Sequence, residues 1–324
     1  MALITSTETL KLYINGFNKQ TNINTMMAWL DKAERKFLIP VIGQEMYEYL
    51  LTAGDDTELC QIAQRVVAWY GYYLSLPHLN ITPSDLGLKV NVSANTAELP
   101  KWKYTELLRS SADMADDEME DLLGYLFGQV DIPQWENSEA AKHCKSTFFT
   151  SALRLTMVVP MVKGRYRTFL ELYPYLMNAQ DKLEPILTSE LLQRIREVNE
   201  LNGKSFEYTG YEADLLSYCR KVIAPMAALD ALVDSKLKLY PDGLKTTTYE
   251  DAFGQQPTGT QERIITEQQE KLKKQMIEAQ TALKAFLDRT ASETIFPSYY
   301  QRKVATPKPQ DLFLTNANQK SFIL

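Results

Sequence analysis

The side chains that could do chemistry in this sequence are concentrated in an acidic run and a short basic run. The acidic run is formed by Asp113, Asp116, Asp117, Glu118, Glu120 and Asp121. A calcium-binding loop needs a central glycine and alternating oxygen ligands, and the acidic run has neither. We therefore expect these carboxylates to lie on the solvent-exposed side of a helix.

The basic run, Lys163-Gly-Arg-Tyr-Arg167, combines positive charges with an aromatic ring. This composition could contact a phosphate group. A basic patch of this size is also typical of an ordinary surface loop, so both interpretations stay open at this stage.

The sequence carries no recognisable metal-binding or catalytic signature. Its two histidines, His78 and His143, fall in different halves and stand beside no pattern with metal-ligand spacing. Asn202-Gly-Lys-Ser205 is similar to the end of a phosphate-binding loop, but that motif needs a glycine where the chain has Val198. No nucleophile stands in a recognisable catalytic turn. We expect neither an enzyme nor a bound metal or cofactor.

The composition is that of an ordinary soluble globular protein, with 45% hydrophobic and 23% charged residues among 324. The net charge of −6 disfavours a general nucleic-acid-binding protein, which would carry a basic face. The distant Cys60, Cys144 and Cys219 predict reduced, buried thiols. Neither a signal peptide nor a membrane-spanning run of roughly 18 apolar residues is recognisable. We expect a protein that is made and used without export.

One helical pattern of apolar residues occurs twice in the chain. Leu59–Pro77 has apolar residues at helical spacing around nearly its whole surface, and Pro77 ends it. Leu215–Leu232 repeats the pattern, with Val222 standing where Val66 stood, an offset of 156 (222 − 66). A helix that is apolar on most sides is enclosed by other elements. Each half is therefore predicted to have such a helix at its centre.

Further segments recur in the same order. The helix that ends at Pro40 is echoed by one that ends near Pro185, and the long helix Tyr104–Phe127 is echoed by Glu262–Leu287. The second half is predicted to open with one longer helix, Ser138–Val159. Amphipathic helices resemble each other, but several echoes in a single order predict an internal duplication.

A strand-like segment precedes the long helix in each half. Apolar and polar residues alternate from Leu86 to Val92, which is strand periodicity. Gly87-Leu88-Lys89 recurs as Gly243-Leu244-Lys245 at the offset of the central helix. We predict a β-ribbon or extended excursion at both places, the second one covering Gly243–Ala252.

These patterns predict a mainly α fold of two tandem duplicated helical bundles, each with a β-ribbon or extended excursion before its last long helix, plus an extended C-terminal arm. The predicted ranges are 1–131 for the first repeat, 132–296 for the second and 297–324 for the arm. The arm segment has apolar clusters at Leu312–Leu314 and Phe322–Leu324 and no helical period. It is typical of either a frayed terminus or an arm that docks on a neighbouring subunit or a partner.

The first half resembles the head–tail connector (adaptor) proteins of tailed phages, of the kind found in Bacteroides phages and prophages. The resemblance rests on a short helix, a helix that ends in Leu38-Ile-Pro-Val-Ile-Gly43, a helix rich in Ala, Trp and Tyr, a β-excursion and a long helix. It covers Ala2 to about Phe127 directly and the second half through the duplication. Typical adaptors carry one such bundle, whereas this chain carries the pattern of two.

The resemblance implies a structural virion protein that forms a ring in the phage neck, joins the portal to the tail and extends the DNA channel. Its implied partners are other copies of the chain in a ring that matches the portal symmetry, the portal protein, the next neck or tail protein, and double-stranded DNA that passes without sequence-specific contact. No membrane is implied. The protein would be assembled in the host bacterial cytoplasm and would reside at the head–tail junction of the virion.

The resemblance also implies sites. The residues expected to dock on the portal or another partner are Tyr299, Tyr300, Arg302, Leu312, Phe313, Leu314, Phe322, Ile323 and Leu324. The excursion residues expected to bridge neighbouring subunits are Leu86, Leu88, Val90, Val92, Leu244, Tyr249 and Phe253. An acidic chain suits a DNA conduit, because a wall that repels phosphate lets the duplex slide. Two alternatives remain open. One is another neck, tail-tube or assembly protein of a tailed phage, and the other is a non-viral helical protein that binds nucleic acid or has a regulatory role.

Overall fold

The fold is mainly helical. The computed structural model describes residues 2–14, 23–54, 57–79, 81–84, 87–90, 100–128, 132–201, 208–234, 238–240, 243–245, 248 and 259–305. None of the helices in these ranges is long and apolar enough to cross a membrane.

The first repeat is a bundle of helices with one β-hairpin. Its helices are α1 (Thr7–Tyr13), α2 (Asn24–Ala33), α3 (Ile39–Ile42), α4 (Gln44–Thr52), α5 (Glu58–Ser75), α6 (Lys101–Gly128), α7 (Pro133–Glu136) and α8 (Glu139–Ser146). A π-helical turn, Glu34–Leu38, joins α2 to α3, and a 3-10 turn, Leu76–His78, follows α5. The hairpin consists of β1 (Ile81–Ser84) and β2 (Gly87–Val90).

Apart from α8, which leads from the first repeat into the second, the second repeat has the same order of helices and hairpin. Its helices are α9 (Ala152–Val158), α10 (Tyr166–Asp181), α11 (Glu184–Leu187), α12 (Ser189–Leu201), α13 (Gly210–Asp234), α14 (Gly259–Thr290) and α15 (Pro297–Ala305). A 3-10 turn, Pro160–Val162, follows α9. The hairpin consists of β3 (Lys238–Tyr240) and β4 (Gly243–Lys245). The predicted tandem duplication and mainly α class are confirmed.

The helix α5 is the predicted centre of the first bundle. Thr57 caps its first turn by accepting a hydrogen bond from the Cys60 backbone N–H. Val66, Val67 and Ala68 are fully buried, because α5 packs against both α2 and α6. In the second repeat, α13 packs in the same way against α10 and α14.

A sharp break between two helices is also duplicated. In the first repeat α3 ends at Gly43, whose φ of +86° is in the range that favours glycine. In the second repeat α11 ends at Thr188, which adopts a φ of +132°. Each short helix has a proline at its second position, Pro40 or Pro185, where the missing N–H would have no partner.

A buried polar clamp shows the duplication at atomic detail. In the first repeat the Leu3 backbone N–H donates to Glu34 Oε1 at 2.7 Å, and Gln64 Nε2 donates to the Leu3 carbonyl at 3.0 Å. This clamp holds the segment just before α1 against the core of the first repeat, and an equivalent clamp holds the segment before α9.

The second repeat builds its clamp with different residue types. The Phe148 backbone N–H donates to Gln180 Oε1 at 2.7 Å, and Arg220 Nε donates to the Phe148 carbonyl at 2.6 Å. The clamping positions are related by the offsets of their helices, 146 (180 − 34) and 156 (220 − 64). The same backbone geometry is therefore kept with an acidic and a neutral side chain in one repeat and a neutral and a basic one in the other.

The opening of the second repeat differs from the prediction. The single helix expected over Ser138–Val159 is two helices, α8 and α9, with Thr147–Ser151 between them. Thr150 has a φ of +53°, and the Ser151 side chain caps α9 by accepting from the Arg154 N–H. This capped start of α9 matches the Ser6 cap of α1, 145 residues earlier (151 − 6).

The packing on either side of the predicted boundary after residue 131 shows how the chain passes from one core to the other. Trp135 of α7 is 3% exposed and belongs to the first core, and α7 packs against α4. Correspondingly, Tyr299 of α15 is buried in the second core, and α15 packs against α12. The chain therefore changes from the first core to the second within α8, whose Ala141 and Cys144 belong to different cores.

The two hairpins confirm a β-excursion before the last long helix of each repeat. β1 pairs antiparallel with β2 in a register that places Ile81 opposite Val90. β3 pairs antiparallel with β4, with Leu239 opposite Leu244. β1 precedes the alternation from Leu86 to Val92, and β3 precedes the predicted second excursion, Gly243–Ala252.

Candidate functional site

The feature that best defines this molecule is the contact between the two repeats, which we call the inter-repeat joint. It brings α6 of the first repeat against α10 of the second. The side chains that form it are Tyr70, Asp116, Glu120, Phe127, Tyr166, Arg167 and Thr248.

Asp116 is the centre of the joint. Its Oδ1 accepts hydrogen bonds from Tyr70 Oη at 2.7 Å and from Thr248 Oγ1 at 2.6 Å, and its Oδ2 accepts from the Thr248 backbone N–H at 2.9 Å. The Arg167 guanidinium forms an ion pair with the same carboxylate, and the two side chains are only 16% and 12% exposed. A buried charge needs such a partner together with additional hydrogen bonds.

The electrostatics of this cluster keep the Arg167 guanidinium protonated. Burial alone would lower the pKa of Arg167, but Tyr70 and Asp116 outweigh it and raise the pKa above its usual value. Burial and the neighbouring Asp116 raise the pKa of Tyr70, although Arg167 acts in the opposite direction. Tyr70 is therefore a neutral hydrogen-bond donor at physiological pH.

Glu120 caps the first turn of α10 from the neighbouring repeat. Its Oε2 accepts from the Tyr166 backbone N–H at 2.6 Å and its Oε1 from the Arg167 backbone N–H at 3.0 Å. The first N–H groups of a helix lack partners within the helix, and a carboxylate there also interacts favourably with the helix dipole. Burial raises the pKa of Glu120, while the two backbone hydrogen bonds oppose that shift.

Aromatic rings continue the joint beyond its polar part. The rings of Phe127 and Tyr166 stack with centroids 4.6 Å apart, and Trp135 packs edge-on against Phe127 at 5.1 Å. Phe127, Tyr166 and Leu170 pack against both cores. The two bundles are therefore joined by side chains that belong to both.

The joint corrects two predictions. The acidic run was expected on a solvated face, yet Asp116 is buried, Glu120 caps α10, and Glu118 pairs with Arg65 at 2.7 Å. The basic run was left open between a phosphate contact and a surface loop, and the structure places its Arg167 in the joint.

A pattern of residues on α6 could have indicated the joint from the sequence. Asp116, Glu120, Leu123 and Phe127 recur at helical spacing and form a second stripe beside the core seam of α6. The stripe was missed because carboxylates on a helix are usually exposed, and only the approach of the second repeat buries these.

The beginning of the predicted C-terminal arm is part of the second bundle. Tyr299, Tyr300 and Arg302 lie in α15. Tyr299 Oη donates to Asp288 at 3.1 Å, and Arg302 donates to the carbonyls of Pro185 and Ile186 at the end of α11. These three residues therefore lie in a helix packed on the bundle and not in an extended segment, because α15 has only nine residues, too few for its period to be recognised in the sequence. Their docking on a partner stays a prediction. The other predicted arm residues, Leu312, Phe313, Leu314, Phe322, Ile323 and Leu324, lie outside the described residues.

The described part of the second excursion packs within the chain. Leu244 is fully buried, and its carbonyl accepts a hydrogen bond from Thr168 at 3.2 Å. Thr248 reaches across to Asp116 of the first repeat. Leu244 therefore packs in the second core of its own chain, and the predicted contact of the excursions with neighbouring subunits stays a prediction. Leu88 and Val90 lie in β2, whereas Leu86, Val92, Tyr249 and Phe253 lie outside the described residues.

The cysteine and histidine side chains are packed against other residues of the chain. Cys60, Cys144 and Cys219 are free and buried, as predicted. Burial raises the pKa of Cys144 and of Cys219 to about 12, so both thiols stay protonated at neutral pH. His78 stacks on Trp29 and His143 on Tyr173. Within the described ranges, no three His, Cys, Asp or Glu side chains are grouped to hold a metal ion.

The fold and the joint define a mainly α protein built from two copies of one helical module. The chain belongs to the family of unknown function DUF6712, which matches residues 14–145 and 180–308. The first match ends within α8 and so includes α7, and the second ends just after α15. Both matches therefore support assigning these helices to their repeats. Searches of curated proteins and of solved structures found no match.

Proposed function

We propose that this protein is a structural component of a tailed-phage virion, a ring-forming head–tail connector that joins portal to tail and extends the DNA channel. The proposal starts from the resemblance of the first repeat to connector proteins, and the duplication, which typical connectors lack, would let each chain contribute two modules to the ring. The location in the virion neck and the portal and tail partners are parts of the same proposal.

The observation that carries the proposal is the inter-repeat joint. A ring requires a module that packs side by side with another copy of itself, and the joint is such a contact between two copies in one chain. Asp116 and Glu120 of one copy both bind the N-terminal part of α10 in the other. Asp116, Glu120, Tyr70, Arg167 and Thr248 contact one another across the joint, which is the arrangement of an interface.

The proposal can be tested in the phage or prophage whose genome encodes the chain. Immunogold labelling with antibodies against the full chain should mark the junction between head and tail. Deleting the gene should give heads and tails that are not joined. Normal particles from the deletion strain, or label confined to another part of the particle, would refute the proposal.

The C-terminal segment offers a second test. Deleting Gln310–Leu324 should abolish docking on the portal protein encoded by the same genome while the helical circular dichroism signal is unchanged. As a matched control, Val304→Ala changes an exposed side chain of α15 and should leave docking intact. Unchanged docking after the deletion would contradict the role of this segment.

A further inference from the structure

The inter-repeat joint has two sides, and each repeat carries the equivalents of both. The first repeat contributes a face of α6, and the second contributes the start of α10 and Thr248, which follows the second hairpin. Because the repeats are copies, the second repeat presents a further α6-like face on α14. The first repeat presents a further α10-like helix, α2, and its own hairpin. The described hydrogen bonds, ion pair and ring contacts of the joint involve neither of these further sides.

The α14 face is found by the offset between the two long helices, 161 (276 − 115). It is formed by Ile277, Thr281 and Ala285, which stand where Asp116, Glu120 and Gly124 stand on α6. All three are exposed, and Ile277 is 51% exposed in contrast to the 9% of Asp116. The face that is covered on α6 is therefore uncovered on α14.

The chemistry of the α14 face suits a protein partner. Ile277, Thr281 and Ala285 are spaced four residues apart and lie on one side of the helix. The apolar Ile277 replaces a carboxylate, and the small side chains beside it permit a close approach. Charged residues flank the face, including the Lys274–Glu278 pair. An apolar centre with a charged rim is the usual anatomy of a protein interface.

The occupant that the fold specifies is a second copy of this chain. Within one chain, the α6 face binds the α10 side of the next repeat, so the α14 face is matched by the α2 side of a first repeat. The first hairpin stands at the position of the second hairpin and packs on the Leu76–His78 turn of its own repeat. Its equivalence to the second hairpin rests on its place in the chain, between the central helix and the long helix of its repeat.

We propose that the α14 face of one chain binds the first repeat of the next chain, at α2 and the first hairpin, and that this head-to-tail contact repeats around the ring. The proposal specifies the ring contact of the connector and rests on that proposed function. A head-to-tail contact gives a closed ring when its rotation closes. Such a ring of n chains would present 2n repeats, with polar joints inside chains and apolar contacts between them.

The test compares two variants of the full chain. Ile277→Asp places a charge in the centre of the face, whereas Met157→Asp does so at an 85% exposed residue of α9 outside it. In sedimentation velocity over a concentration series, Ile277→Asp should raise the dissociation constant for self-association about tenfold or more, as expected for a central interface residue. Met157→Asp should leave it unchanged, and circular dichroism should be the same for both variants.

A photo-cross-linker at position 277 then identifies the occupant. The expected product joins residue 277 of one chain to residues 24–90 of another. A cross-link to α14 of another chain would indicate a two-fold contact and overturn the proposal. A chain that stays monomeric at every concentration without a cross-link, or equal self-association of both variants, would also overturn it. Neck labelling by immunogold in any of these cases would leave the connector function standing, so the two failures are distinguishable.

Discussion

The backbone N–H of Thr248 donates a 2.9 Å hydrogen bond to Oδ2 of Asp116, although 132 residues separate the two in the chain. Thr248 follows the second hairpin, and Asp116 lies on the long helix of the first repeat. The bond therefore joins the excursion of the second repeat to the long helix α6 of the first repeat. It shows that the excursion, predicted to leave the bundle, helps to hold the two copies of the module together.

Removing the Asp116 carboxylate is predicted to destabilise the whole chain. Asp116→Ala leaves Arg167 buried without its partner, and such a loss costs about 3–5 kcal/mol. Urea unfolding followed by circular dichroism should show this decrease. The control Asp113→Ala removes an exposed carboxylate that lies 3.9 Å from Arg109 and should cost less than about 1 kcal/mol.

The double variant Asp116→Ala/Arg167→Met tests the reason for that loss. Removing both charges should recover much of the stability, because the cost comes from the unpaired cation. Equal instability of the single and double variants would indicate that the hydrogen bonds from Tyr70 and Thr248 matter more than the charge of Arg167.

The close approach of α2 and α5 predicts an unusual effect of alanine at Gly71. A Cβ atom there would lie 2.7 Å from Leu30 Cδ2 and 3.4 Å from its Cα, so Gly71→Ala should destabilise by about 1–3 kcal/mol. Gly124→Ala is the control, since the nearest atom to its Cβ is 4.0 Å away. That variant should be neutral or gain up to about 1 kcal/mol from helix propensity. Thermal melts of both variants measure the difference, and stabilisation by both would contradict the close contact.

Glu34 predicts a pH-dependent component of stability. Burial raises the pKa of this carboxyl above its usual value, although hydrogen bonds from Tyr47 and Leu3 oppose the shift. The folded state therefore binds the proton more tightly than the unfolded state. The free energy of unfolding should fall as pH rises from the ordinary value near 4.5 through the raised pKa.

Glu34→Gln should remove this share of the pH dependence, because a glutamine side chain is neutral. Glutamine also fits the clamp, since Gln180 stands at the equivalent position and accepts from the Phe148 N–H. Denaturant titrations between about pH 4 and pH 8 should give a flatter profile for this variant. The exposed Glu45→Gln should keep the wild-type slope, and an unchanged slope in Glu34→Gln would contradict the assignment.

The helix α15 is predicted to be a structural part of the second bundle. Tyr299→Ala removes a buried ring and its hydrogen bond to Asp288, and truncation of a large buried side chain costs about 3–5 kcal/mol. Val304→Ala, at a 66% exposed position of the same helix, should change stability by less than about 0.5 kcal/mol. Chemical denaturation should separate the two variants, whereas equal stability would indicate that α15 is not anchored.

The sequence by itself determined the class of fold and its duplication. Helical spacing in Leu59–Pro77 and Leu215–Leu232 required two enclosed helices, and each was found at the centre of a bundle. Periodicity is a local property set by burial of one face, so it can be read without knowing the partner. The burial of the three cysteines was predicted separately, from their odd number and wide separation in the chain.

Only the tertiary structure decided which residues join the repeats. Asp116 and Arg167 look like solvent-exposed charges in sequence, and their burial depends on the approach of two helices that are distant in the chain. The boundary between the repeats was likewise decided by packing, since Trp135 and Tyr299 sit in short helices whose period is too brief to assign. Local patterns report which face of an element is buried, whereas the identity of the covering surface is a long-range property that the fold alone supplies.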